Sequence, residues 1–197
     1  MASTTWRRIV LPSLALVVVL TTLPVAVPAG EQEPGTKQDR AVARRAEIDA
    51  AARETLDQLL AESPEAKKLY DKAAGYAVFS NLKIAVGVSG GGGSGVAVSK
   101  SGGKRTYMKM GTAGIGLGLG GQRYRVVFLF ENDKVLGNFV DKGWQADVSA
   151  QAAAGTAGAG VASSFRDGLA VFQFSDKGLM ASADLSGTKY WKADKLN

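Results

Sequence analysis

Apolar residues recur at helical spacing from Lys37 to Glu62. Val42, Ile48, Ala52, Leu56, Leu59 and Leu60 form one stripe, and Arg40, Arg44, Arg45 and Arg53 share the polar side with Asp39, Glu47, Asp49, Glu54 and Asp57. The pattern predicts an amphipathic helix that either packs on a domain or lies on a membrane surface. Ser63-Pro64-Glu65 then supplies an N-cap, a first-turn proline and an acid at the positive dipole end. A second helix is expected to run to Ala73 or Ala74 and to stop at Gly75. From Tyr76 the period changes to two. Tyr76–Phe79, Ile84–Ser89, Val96–Val98, Thr106–Met110 and Thr112–Gly120 read as short strands, with a hairpin turn at Lys100–Lys104. Val126-Val127-Phe128-Leu129-Phe130 is apolar on both faces and predicts a central, fully buried strand. Asn132 to Val140 predicts a small helix capped by Asn132. Leu169–Phe174 and Leu179–Leu185 predict two more strands around the turn Ser175–Gly178. The expected fold is α+β: two N-terminal helices packed on a Gly-rich, mainly antiparallel sheet of about eight short strands, with one small internal helix.

Glycine modifies this picture in three places. Gly114 to Gly120 alternates strictly with Ile115, Leu117 and Leu119. Glycine at every second position leaves one strand face bare, so that a backbone, a helix or an acyl chain can approach closely. The cluster Gly90–Gly95 reads as a flexible turn, or as a loop whose N–H groups cradle an anion. Asp147 to Val161 is a second segment of small residues that allows close backbone approach.

The first residues read as an export signal. Arg7-Arg8 is a basic n-region, Ile9–Leu23 an apolar h-region, and Val27-Pro28-Ala29 a small-residue cleavage site. The expected organisation is a signal peptide over 1–29, a flexible lead over 30–38 and a single domain over 39–197. The expected location is periplasmic or secreted. Loss of Arg7 and Arg8 lowers the formal charge from +6 to +4. That balance suits an anionic lipid or polymer surface, and is too modest and interspersed for nucleic acid. The chain has no cysteine and no histidine. This excludes disulfides, thiolate chemistry, His-dependent triads and His- or Cys-ligated metal.

Pro64-Glu65-Ala66-Lys67 followed by Ala73-Ala74-Gly75-Tyr76-Ala77-Val78-Phe79 resembles the entry motif of the SYLF domain family. The glycine-rich stretch Gly87–Gly121, the buried strand ending at Phe130, Asp147-Val148-Ser149-Ala150 with Gly155 and Gly158, and Ser175–Ala181 fit the same family. The resemblance spans about Ile48 to Lys192. It implies a non-enzymatic lipid-binding module without cofactor. Eukaryotic members bind phosphoinositides and are linked to actin patches, and an N-terminal amphipathic segment helps them hold the membrane. Bacterial members look like secreted or periplasmic single-domain proteins. The matching amphipathic segment here is Arg40 to Leu60.

The candidate lipid-binding residues are Lys67, Lys68, Lys83, Lys104, Arg105, Lys109, Arg123 and Arg125 for headgroups, and Ile115, Leu117 and Leu119 for an acyl chain. The expected partner is an anionic phospholipid or membrane surface. Exposed Trp191 near the C-terminus suits a membrane interface. The alternative is an envelope scaffold whose partner is a protein. An enzymatic reading would rest on carboxylates such as Asp141, Asp147, Asp167 or Asp184, whose spacing demands no shared site. Gly116–Gly121 matches G-x-G-x-x-G but leads into a strand, not the helix a dinucleotide fingerprint needs. Ser80–Lys83 and Ser101–Lys104 match S-x-x-K without the Ser-Asp-Asn or Lys-Thr-Gly partners of that chemistry.

Overall fold

The computed structural model describes residues 36–145, 162–180 and 187–197. The leader and its cleavage site, the segment Asp147–Val161 and most of the expected strand Leu179–Leu185 lie outside them.

Helix α1 runs Lys37–Glu62 and α2 runs Pro64–Lys72, matching the sequence pattern. Thr36 starts α1 with a capping box. Its hydroxyl accepts the Asp39 N–H at 3.2 Å, and the Asp39 carboxylate accepts the Thr36 N–H at 2.8 Å. Ser63 is extended and divides the two helices. Its N–H donates to the Leu59 carbonyl, and its buried hydroxyl accepts the Ala66 N–H at 3.1 Å. Asn132 caps α3, Asp133–Lys142, by accepting the Val135 N–H at 3.0 Å, and Gly143 ends it at φ 71°.

The sheet is α+β in the expected sense, antiparallel throughout its described pairings, but its strands are longer than the turn signals suggest. β1 runs Gly75–Ser99 and β2 runs Arg105–Phe130, joined by the turn at Lys100–Lys104. The remaining described strands are β3 (Trp144–Gln145), β4 (Leu169–Ser175), β5 (Gly178–Leu179) and β6 (Thr188–Lys192). β2 is the spine. β1 pairs along one edge; on the other, β6 pairs with Met108–Thr112 and β4 with Tyr124–Phe130. One irregularity interrupts the long hairpin: Val86 pairs with Leu119, but Val88 pairs with Ile115, so the glycine-alternating stretch carries extra residues.

Gly90–Gly95 is therefore strand, not turn, and its register against Met108–Ala113 is continuous. The physical reason lies within β1 itself. A Cβ at Gly91 would sit 2.7 Å from the Leu82 carbonyl oxygen, and one at Gly75 would sit 2.5 Å from that of Val98. Side chains at Gly93 and Gly95 would collide with the Ser80 and Val78 carbonyls. As one half of β1 steps forward, its contacts step back along the other. The strand folds back antiparallel on itself in direct backbone contact, which glycine alone allows.

Two cores result. On one sheet face Phe79, Met108, Met110, Val126, Phe128 and Phe130 pack with Tyr190 and with Leu136 and Phe139 of α3. On the other, Val78, Val96, Val127, Leu129 and Phe172 pack under Ile48, Ala52, Leu56 and Leu59 of α1 and Leu69 of α2. Val126–Phe130 is buried throughout, as a strand apolar on both faces requires.

Candidate functional site: a charged cleft beneath the first helix

The predicted cations separate into different surroundings. Lys67 and Lys68 are exposed on α2, and Lys109 is exposed on β2. Lys83 is half-buried on β1, where strand alternation sends it to the face opposite α1. Lys104 stands in the hairpin turn beside a cleft of about 180 Å³ that Asp133 and Asp141 also line. Arg105 is held by α1. Its Nη1 lies 2.6 Å from Asp49 Oδ2, and the Tyr107 hydroxyl donates to the same oxygen at 3.0 Å. The hydrogen bond that Arg105 donates to Asp49 raises the Arg105 pKa above its ordinary value.

Arg123 and Arg125 are the two that the structure brings together. They alternate on β2, face α1, and line a cleft of about 490 Å³. One wall is Glu54 and Gln58 of α1; the other is Phe174, Ser175 and Asp176 where β4 turns into β5. The Arg125 guanidinium lies 5.2 Å above the Phe174 ring and its Nη1 is 3.4 Å from Thr55 Oγ1. That stacking restrains the fork where Arg125 lines the cleft. Arg123 is exposed, and neither arginine makes an ion pair with a described residue. The volume falls in the range of small-ligand sites.

Ile115, Leu117 and Leu119 belong to β2 by backbone, but their side chains lie outside the described residues. Among the described residues, large apolar side chains are exposed at Val42, Leu82, Ile84 and Trp191. Trp191 is 40% exposed and rests on bare backbone, since a Cβ at Gly111 would meet its ring at 3.1 Å. It is the cross-strand partner of Lys109. Ser80, Asn81 and Lys83 sit within β1, and Ser101 in the turn, so neither S-x-x-K match opens a helix. Among the described residues no group of three acidic side chains is placed to hold a metal ion, and no helix is long and apolar enough to cross a membrane.

Sequence reasoning missed the acidic walls of the cleft, because Glu54, Asp176 and Arg123 are far apart in the chain and meet only through the docking of α1 and the β4–β5 hairpin. Phe174, the direct cross-strand partner of Arg125, joins them only through the β2–β4 ladder.

Residues 111–197 match the family described as Ysc84, Las17-binding protein actin regulator. Beta cell expansion factor A of Aeromonas veronii is 42% identical over 147 residues, which are 75% of this chain and 56% of that protein. The chain thus spans a little over half the length of that relative. Neither name is that of an enzyme.

Proposed function

We propose that the protein, whose residues 111–197 match the Ysc84 (SYLF) family, is a non-enzymatic module that binds the surface of an anionic membrane. The observation that carries this reading is the pair Arg123 and Arg125, adjacent on one strand face, open to solvent through the cleft and without an ion-pair partner among the described residues. Two guanidiniums on a fixed strand present forked donors to phosphate. Exposed lysines elsewhere on the surface, such as Lys67, Lys68 and Lys109, add long-range attraction of about 1 kcal/mol each near an anionic surface. We further propose that the module acts in the periplasm or outside the cell after cleavage near Ala29, which mass spectrometry of the exported protein tests.

Co-sedimentation with anionic and zwitterionic vesicles at low and high salt tests the membrane reading. Salt-sensitive binding to anionic vesicles that is lost in Arg123→Glu with Arg125→Glu is the expected result. Absence of binding to either vesicle type overturns it. The family description names a protein partner, which keeps a scaffold role as the second reading. A stable complex formed in pull-down without lipid favours that one.

A further inference from the structure

The cleft beneath α1 carries both signs of charge. Arg123 and Arg125 face Glu54 and Asp176 across about 490 Å³, and no pair among the four closes to ion-pair distance. Opposite charges in one open cleft that stay apart leave room for a ligand between them. A dianionic phosphate would gain the arginines and be repelled by both carboxylates. A ligand with one negative and one positive group satisfies all four.

The rim adds a second observation. Leu82 and Ile84 are 43% and 53% exposed. They alternate on β1, and Leu82 is the cross-strand partner of Arg123, so they stand on the cleft's face of the sheet. Ser80, two residues before Leu82 on the same face, lines the cleft itself. Apolar side chains beside a charged cleft match the layering of a phospholipid, with its headgroup charges outermost and its glycerol and acyl carbons next to them.

We propose that this cleft is a headgroup site for a zwitterionic phosphodiester bearing a primary amine. Arg123 and Arg125 hold the phosphate, Glu54 and Asp176 hold the ammonium, and Leu82 and Ile84 contact the acyl side. The inference rests on the membrane reading above for its lipid source, while the headgroup chemistry stands apart from it. The net positive charge, Arg123 and Arg125 included, draws the protein to anionic surfaces; the mixed charge of the cleft then selects the headgroup.

The experiment titrates the full chain with soluble glycerophosphoethanolamine, inorganic phosphate and ethanolamine by calorimetry, and in parallel with vesicles of phosphatidylcholine containing either phosphatidylethanolamine or phosphatidylglycerol. Glycerophosphoethanolamine is expected to bind more tightly than phosphate or ethanolamine. Arg123→Gln is expected to weaken it by about tenfold, in line with loss of a charge-assisted contact. Asp176→Asn is expected to weaken glycerophosphoethanolamine and to strengthen phosphate, a reversal that misfolding does not produce. Lys134→Gln, exposed on α3 across the sheet from the cleft, is the unchanged control. Leu82→Ser with Ile84→Ser is expected to weaken binding to the phosphatidylethanolamine vesicles and to leave the soluble compound unaffected. Phosphate binding as tightly as glycerophosphoethanolamine, or Asp176→Asn without effect, overturns the proposal even if anionic vesicles still bind. Soluble binding that persists while every vesicle is ignored overturns the membrane source, and with it the wider reading, but leaves the cleft's zwitterion chemistry standing.

Discussion

Arg105 Nη1 lies 2.6 Å from Asp49 Oδ2 and ties the middle of α1 to the first residue of β2. Arg105 and Arg123 look alike in the sequence, as cations of one glycine-rich sheet. In the fold they have different duties. The Arg105 side chain is 42% exposed, so the pair contributes at most about 1 kcal/mol after screening by solvent. Arg105→Gln should therefore lower thermal stability slightly and leave the affinity for anionic vesicles nearly unchanged. Arg123→Gln should do the reverse. Paired melting curves and co-sedimentation check this; equal loss of vesicle binding in both variants would remove the distinction.

The glycines of β1 are not equivalent either. A Cβ at Gly95 would meet the Val78 carbonyl and would lie 2.5 Å from Phe79 Cδ1, in a buried position between two halves of the same strand. Backbone cannot withdraw as a flexible side-chain tip can. Gly95→Ala should lower stability by about 1–3 kcal/mol or more, as overpacking does. Gly90 has open space around its Cβ direction, so Gly90→Ala should leave stability unchanged or raise it by about 0.5 kcal/mol through reduced chain entropy. Denaturant unfolding of the two variants separates a cluster built for close contact from one built for flexibility.

Tyr190 is fully buried among Phe79, Phe128, Phe139 and Trp144, and its hydroxyl has no hydrogen-bond partner among the described residues. Burial holds its pKa well above the ordinary 10.0, and burial likewise raises Tyr76 and Tyr107. The unfolded chain ionises its tyrosines first as the pH rises. The stability linked to these groups is thus complete below pH 10.0 and is lost progressively above it, as the pH climbs toward the folded-state values. Tyr190→Phe removes the unpaired hydroxyl and keeps the ring contacts. It should raise stability near neutral pH by about 1 kcal/mol and flatten the alkaline decline. A steeper decline in the variant would contradict the burial argument.

Helices were legible in the chain because their signals are local. Thr36, Ser63 and Asn132 each bond an amide three residues on, and the apolar stripe of α1 reports a single face. The strands were legible in period but not in length. Glycine reads as a break when only neighbours in sequence are considered, whereas Gly91, Gly93 and Gly95 are demanded by Leu82, Ser80 and Val78 on the other half of β1. β6 escaped notice for a similar reason: Thr188–Lys192 has one buried residue on each side of Lys189, and its pairing with Met108–Thr112 is long-range. The same limit applies to the cleft. Charge identified Arg123 and Arg125, but Glu54 and Asp176 become neighbours of theirs only after α1 docks and β4 turns back.

The C-terminal side chain supplies the last test of how this sheet is closed. Asn197 Oδ1 accepts the Tyr107 N–H at 2.9 Å, and Asn197 Nδ2 donates to the Tyr107 carbonyl at 2.9 Å and to the Ala193 carbonyl at 3.0 Å. The amide thus imitates a backbone partner beside β2, just past the point where β6 stops pairing at Met108. The Tyr107 carbonyl also accepts the Ala193 N–H at 2.9 Å, so it keeps a partner if Asn197 is lost, whereas the Tyr107 N–H does not. Asn197→Ala should cost about 1–2 kcal/mol, the range for leaving a part-buried donor unpaired. Asn197→Asp should recover part of that cost, because a carboxylate still accepts from the Tyr107 N–H but donates nothing to the two carbonyls. Arg45 Nε donates to the Leu196 carbonyl at 2.9 Å, so loosening this turn should also reach α1. Amide hydrogen exchange should then quicken at Tyr107 in the alanine variant, much less in the aspartate variant, and to a smaller degree near Arg45. Fast exchange at Arg45 with Tyr107 still protected would mean that α1, and not the Asn197 amide, holds the end of the chain in place.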